Sequence, residues 1–497
     1  MLRTYNLNKV PYGFFCDEAA TGYNAYSILK TGNDEFGDSF PVFFYSFGNN
    51  RLPLPIYMTV PFVAIFGLNE FSTRLATAFY ASLTIPLIFI FLGALFPKKT
   101  VTPYFGAMFL AIAPWHVHFS RTAHEYIYLP LFILLGLIFF IHSVRRKKAK
   151  YLHLSFINFG VAFYTYYPSY LIVPLTMGLC IMTYFKQFIS FGKNALYAFI
   201  VFFVVSIPLI AGFINGRALT RWNEGQVSIF SKYKNPSDIL FKVTHSYVLH
   251  FSPTFLFTKG DIDFPGQFIT RHSVRGMGML YLFELPLILS ALSSLVFKGG
   301  KSRFFIFGIL LIHPFSNAVT STLNPYAPRS ILGSVSWPMI SAVGVSFLLE
   351  TEKYYKKIVM SFLFIGVSLC LYEYLFRYYK EYALYSSDYW GWQYGPREIT
   401  GYFLNHSKDY DEMFMQGKFN GVDIFFKFYD PENKCANKCF VGGVSEYSSA
   451  KKQLFAIDKE ELKNIPTELL FTVNKILYYP DNTPAFFIGT ISKNNAV

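Results

Sequence analysis

Residues 127–150 read IYLPLFILLGLIFFIHSVRRKKAK, an apolar run closed by four consecutive cations, Arg145, Arg146, Lys147 and Lys148. The hydrocarbon core of a bilayer takes roughly 17 to 25 apolar residues as a helix. Lys and Arg flanking such a helix stay on the cytoplasmic side. One stretch therefore supplies both a membrane span and its direction. Apolar stretches of similar length fall at about 71–96, 101–117, 151–167, 169–185, 195–214, 279–297, 304–320, 331–349 and 358–376, so that about ten spans are predicted. Every second connector is basic: Lys98-Lys99, the run after 144 with Lys150, Lys186 with Lys193, Lys298 with Lys301 and Arg303, and Lys353 with Lys356-Lys357. The other short connectors carry only Arg121 and Arg329, and one orientation then satisfies the whole chain, with 1–70, 215–278 and 377–497 on the outer side.

Composition agrees with this reading. Of 497 residues, 53% are hydrophobic and 15% charged, and the mean hydropathy is +0.32, too apolar for a water-soluble domain of this length. A net charge of +14 raises the question of a polyanionic partner, but the cations follow the membrane connectors, so a nucleic-acid partner is excluded in favour of topology. The five cysteines form no zinc-like array; Cys435 and Cys439 are spaced either for a disulfide or as two free thiols.

The expected fold is an all-α polytopic membrane protein, 1–376, followed by a small α/β extracytoplasmic domain, 377–497. In that tail DIFFKFY (423–429) and PAFFIGTI (484–491) read as strands and DKEELKNI (458–465) as a helical turn. An outer N-terminus with neither signal peptide nor span ahead of it, in MLRTYNLNKVPYGF, leads us to expect a first transmembrane helix missing from this chain. Residues 18–30 space Ala19, Tyr23, Tyr26 and Leu29 as a helix on the bilayer surface, stopped by Gly32, while 52–68, broken by Pro53, Pro55 and Pro61, suits an interfacial or re-entrant element. A further interfacial helix is expected after Asn235 as cap and Pro236 at its first position.

The chemistry-bearing residues gather at the outer face. Asp17 and Glu18 head the first helix; Asp17 reads as its N-cap, with Glu18 complementing the dipole, and a capping carboxylate with one free oxygen can still take a proton from an alcohol. Adjacent acids cannot flank a scissile bond from opposite sides, so a single base is the better reading. Arg51, Arg74, Arg121 and Arg329 lie at outer loops or span ends, where guanidinium binds phosphate in a fork; each could equally anchor a headgroup or pair a carboxylate. Arg74 stands out because a cation within a span is costly. Glu125 is placed to pair with Arg121, and His116, His118, Arg271 and His272 stand near the same face without a spacing that fixes a metal.

These residues also carry a resemblance. The strings YNLNKVPYGFFCDEAATGYNAYSILKTGNDEFGDSFP, RLPLPIYMTVPFVAIFGLNEFSTRLATAFYASL and LAIAPWHVHFSRTAHE are similar to the bacterial dolichyl-phosphate-mannose protein mannosyltransferase-like family, which includes aminoarabinose transferases, within the GT-C superfamily. The resemblance implies an inverting, membrane-bound glycosyltransferase that moves one sugar from a polyprenyl-phosphate donor to a hydroxyl of an exported protein, glycolipid or envelope glycan. It implies Asp17 as base, Glu18 as a residue placing the acceptor, and Arg51, Arg74 and Arg329 at the donor phosphate. Arg51 stands where the family often has lysine, and Pro55 where it usually has an aromatic residue. No cofactor is expected to be required, although a divalent ion could share the phosphate charge. The expected location is the plasma (inner) membrane, with the site on the extracytoplasmic side. The rival class, a transporter or flippase of lipid-linked glycans, calls for ionisable residues deep in several spans and for inverted repeats, neither of which is visible here.

Overall fold

The computed structural model describes residues 1–98, 101–223, 227–267, 269–350 and 353–494; Lys99, read with Lys98 as a basic connector, lies outside the described residues. The chain is mostly helical, with one sheet near its C-terminus. α1 (Cys16–Thr31) stops where Gly32 turns left-handed (φ 75°) and donates its N–H to the Ile28 carbonyl. It is not a surface helix: Leu29 is exposed, whereas Ala19, Ala20, Ala25 and Ile28 are packed away. The small side chains admit neighbours on most sides, which the spacing of larger apolar residues does not reveal.

A hairpin follows. β1 (Phe44–Ser46) and β2 (Asn49–Arg51) pair antiparallel around Phe47 and Gly48, both at positive φ (50° and 83°), the two-residue loop whose twist suits a hairpin. α2 (Leu54–Phe66) retains Pro61 inside it. α3 (Glu70–Leu95) opens on Asn69, whose side chain accepts from the Ser72 amide at 2.9 Å while Ser72 Oγ accepts from the Asn69 amide.

Four helices among the described residues are long and apolar enough to cross a membrane: α3, α4 (Glu125–Arg146), α5 (Lys193–Ile214) and, near the end of the helical part, 356–385. Other apolar stretches form shorter helices, Val101–Ile112, Ser169–Thr183 and Gly333–Leu348 among them. The stretch at 101–117 is broken ahead of Pro114, which starts a separate helix, Pro114–Ser120. Lys147 ends α4 in the left-handed region, and Arg145 to Lys148 are all exposed, as a solvated turn requires. α6 (Pro236–Leu249) begins after Asn235 with Pro236 at its first position, although the Asn235 side chain makes no cap. α7 is the last long helix, Lys356–Tyr385.

In the tail, α8 (Pro396–His406) precedes β3 (Glu412–Met415). DIFFKFY is helical, not extended: it lies in α9 (Val422–Tyr429), which buries Val422, Phe425 and Phe428 at helical spacing and turns Asp423 outward, while half-buried Lys427 pairs with Glu35. A short apolar run cannot distinguish the two states by periodicity alone. β4 (Cys439–Val441), β5 (Gln453–Asp458), β6 (Leu469–Tyr478) and β7 (Pro484–Lys493) complete a sheet of order β4-β3-β5-β7-β6, parallel across its first three strands and antiparallel across its last three. α10 (Lys459–Lys463) is the turn expected in DKEELKNI, capped by Asp458 accepting from the Glu461 amide. Cys435 and Cys439 are joined as a disulfide.

Candidate active site

Asp17 is not the cap of α1. The helix begins at Cys16, two residues earlier than a capping role for Asp17 requires, so Phe15 occupies the N-cap and its amide is taken by Glu18 Oε2 at 3.2 Å. Consecutive helix positions point about 100° apart, and the two acids accordingly separate. Asp17 is partly exposed; Glu18 is wholly buried.

Glu18 faces Arg74, whose Nε meets Oε1 at 2.9 Å and whose Nη2 meets Oε2 at 2.8 Å, while Oε1 also accepts from the Ala123 amide. Burial alone would push this carboxyl up; the Arg74 ion pair and hydrogen bonds outweigh it and hold Glu18 below the usual carboxylate range. The remaining donors of Arg74 go to the carbonyls of Leu7, Pro11 and Gly13. All five N–H groups are thereby committed, so the expected place of Arg74 at a donor phosphate gives way to a structural one. Arg121 is engaged in the same manner, donating to the carbonyls of Leu2, Tyr5 and Val10 and to Tyr378 Oη, and not to Glu125. The two buried guanidiniums fasten residues 2–13 above α1.

Glu125 pairs instead with Arg51 at 2.9 Å, and Arg51 Nη1 donates to the Asp17 carbonyl at 3.0 Å. The β1–β2 hairpin delivers Arg51, and Tyr167 Oη steadies it by donating to the Asn50 carbonyl. Asp17 and Glu125 both lie within electrostatic reach of Tyr126. Tyr126, Tyr166, Tyr167, Trp222, Tyr326 and Arg329 help line a cleft of about 120 Å³. Arg329 spans its side, bonded to the hydroxyls of Thr320 and Thr322 and lying over the Tyr326 ring. Arg329 thus lines the aromatic cleft, while Asp17, Arg51 and Glu125 form a linked group next to Tyr126 in its wall.

The histidines divide. His116 is committed to Arg3 and Thr84, away from this cleft. His118 Nε2 meets the Arg271 carbonyl at 2.8 Å; burial pushes its imidazole down to about 4 against the raising effect of that bond. Arg271 lies 3.8 Å over the Phe15 ring and donates to the Trp390 carbonyl. His272 sits edge-on to Tyr326 and 3.4 Å from Asp261, whose carboxyl burial raises to about 8. Among the described residues no group of three or more His, Cys, Asp or Glu is arranged to hold a metal ion. Tyr126, Tyr166 and Tyr326, which line the cleft, and His124, which stacks against Phe15 and Tyr126, are residues that the sequence reading missed; tyrosine is abundant here, and only the adjacency of His124 and Tyr126 to Glu125 sets any of them apart.

These features define a protein of several helices long and apolar enough to cross a membrane, with a helix–hairpin site and a sheet-bearing tail, and the comparisons agree in fold. Residues 50–210 match the family model described as Dolichyl-phosphate-mannose-protein mannosyltransferase. ArnT from Cupriavidus metallidurans in the apo state superposes with a TM-score of 0.59 at 11% identity, covering 98% of this chain and 95% of that one. Its form bound to undecaprenyl phosphate gives 0.55 at 12% identity with the same coverage. The oligosaccharyltransferase of Archaeoglobus fulgidus in the apo form gives 0.54 at 11%, covering 98% of this chain and 73% of that one. No curated protein matches the sequence. The chain shares its fold with ArnT, and residues 50–210 match the family model that its motifs resemble.

Proposed function

We propose that this protein is an inverting glycosyltransferase that moves one sugar from a polyprenyl-phosphate donor to a hydroxyl of an exported acceptor, at the extracytoplasmic face of the plasma membrane. The observation that carries the reading is that Asp17, partly exposed and held through its backbone carbonyl by Arg51, lies within electrostatic reach of Tyr126, which with Arg329 lines an aromatic cleft. Attack at the anomeric carbon expels a lipid phosphate whose charge grows from about one to two negative units, so fixed guanidiniums favour the transition state over the ground state. Such a leaving group needs no acid. Asp17 takes the proton of the attacking hydroxyl. Arg51 has two tasks: it holds the Asp17 backbone carbonyl and brings positive charge to the donor phosphate. ArnT, whose fold is similar, binds undecaprenyl phosphate, which supports a lipid-phosphate donor. The apolar stretches that form shorter helices are read as further spans, bringing the total to about ten.

The test supplies membranes with radiolabelled polyprenyl-phosphate hexose and follows label into exported material. Asp17→Asn is expected to lower transfer at least 100-fold, on the order of a lost general base. Undiminished transfer by that variant rejects Asp17 as base; lipid movement without transfer favours a flippase.

A further inference from the structure

Residues 386–394, SSDYWGWQY, connect α7 to the C-terminal sheet, and nothing in their composition marks them for function. The segment is folded tightly on itself. The Trp392 and Tyr394 amides donate to the carbonyls of Ser386 and Ser387, the Gln393 amide donates to that of Asp388, and Asp388 Oδ1 accepts from the Gly391 amide. Gln393 is held at φ 51°, a left-handed conformation that a side chain other than Asn, Asp or Gly seldom adopts. Such strain persists where surrounding structure enforces it.

What the strap touches is the approach to Asp17. At Gly13 a Cβ would lie 2.3 Å from the Trp392 carbonyl oxygen, so backbone meets backbone there. The Trp390 carbonyl accepts from Arg271, which covers the Phe15 ring. Gln393 Oε1 accepts from the Cys16 amide at 3.2 Å, across 377 residues of chain. The first amides of a helix have no partner within it, and Phe15 at the N-cap has no side-chain acceptor. Gln393 therefore caps the helix that carries Asp17 from the far end of the protein.

We propose that Gln393 is a positioning residue for Asp17: it fixes the first turn of α1 through the Cys16 amide and makes the C-terminal strap part of the working site. This rests on the reading of Asp17 as the base. The neutrality of the side chain matters. A carboxylate would accept the same hydrogen bond and suit the helix dipole, but would put a second negative charge beside Asp17 and disfavour its ionised, proton-accepting form. Gln393 Nε2 is also buried without a partner among the described residues, a cost that a cap serving only structure has no reason to carry.

The experiment compares wild type, Gln393→Met, Gln393→Glu and Asp17→Asn in detergent or proteoliposomes, measuring kcat, KM and pH profile of transfer together with amide exchange over residues 14–20. Gln393→Met keeps the volume and loses the acceptor. It is expected to speed exchange at Cys16 and to lower kcat about tenfold while leaving the donor KM within about twofold, as for loss of an orienting contact. Gln393→Glu is expected to keep Cys16 protected and to move the acid limb of the profile upward by about half a pH unit or more; it carries the test should the Met variant fail to fold. Unchanged exchange and kcat in Gln393→Met, or an unmoved acid limb in Gln393→Glu, alongside an inactive Asp17→Asn, overturns the role of Gln393 alone. Full activity in Asp17→Asn overturns the underlying reading, and the positioning role with it.

Discussion

Asp17 and Glu18 are chemically near-equivalent neighbours with opposite surroundings, and the difference comes from Arg74. Glu18 receives four hydrogen bonds in a fully buried place, two of them from that guanidinium. Removing one partner of a buried pair leaves an uncompensated charge, at a cost of about 3–5 kcal/mol. Glu18→Ala should therefore lower the thermal midpoint in detergent markedly, and pairing it with Arg74→Met should recover part of the loss; equal midpoints for the single and double variants would contradict this. Because Glu18 is held below its unfolded value, its contribution is present above the unfolded carboxylate pKa and fades as pH falls through the folded one. Asp261 behaves oppositely. Its folded pKa is raised from 3.8 to about 8 by burial, so the native state holds the proton more tightly and stability falls as pH rises across that window, by at most about 1.4 kcal/mol per pH unit. Asp261→Asn should flatten the decline between pH 5 and 8 in a thermal-midpoint series; an unchanged slope would remove Asp261 as its source. The sequence shows Arg74 as an anomaly, since a cation within a span demands a reason, but not the partner, which lies 56 residues away on a helix packed across it.

Elements repeat this contrast between local and distant information. Gly32 as a stop, Pro236 as a first residue and Asp458 as the start of a turn could all be read from neighbours, because stops and starts are set by one or two adjacent residues. The hairpin that presents Arg51 escaped such reading. Its loop is Phe47-Gly48 rather than the Asn-Gly or Asp-Gly that usually announces one, yet both residues take positive φ. The helical state of α9 was hidden too, since its apolar face is fixed by what it packs against: Phe428 meets Phe14 at 4.8 Å and fills the space over Gly22. A one-residue slip in a hairpin sends each side chain to the other face, and a Cβ at Gly48, where φ is 83°, works against the turn at a cost of roughly 1–2 kcal/mol. Gly48→Ala should accordingly weaken the hold of Arg51 on Asp17 and Glu125, read as a several-fold fall in transfer with little change in thermal midpoint. Full transfer in that variant would show that the hairpin does not set the geometry of Arg51.

At the scale of the whole molecule, the alternation of apolar runs and basic turns is a property of the chain alone, which is why the membrane class was legible from end to end. How the tail meets the membrane part was not, because each contact joins residues hundreds of positions apart. Glu70, at the mouth of α3, accepts from Tyr429 Oη and pairs with Arg397; Lys427 pairs with Glu35 beyond α1; and the Cys435–Cys439 disulfide follows α9 directly. Tail residues thus grip α1 and α3, the two helices that carry the Asp17–Glu18–Arg74 arrangement. A tail joined only by a linker would leave the membrane part intact when cut away. Here a protein ending after residue 385 should lose the Gln393 cap, the Glu70 partners and the cover over Phe14 together. It should show a lower thermal midpoint, faster amide exchange throughout α1 and no measurable transfer, and tail residues supplied in trans should not restore it. A truncated protein that transfers sugar at the full-length rate, with α1 as protected as before, would show instead that the membrane helices hold the site unaided.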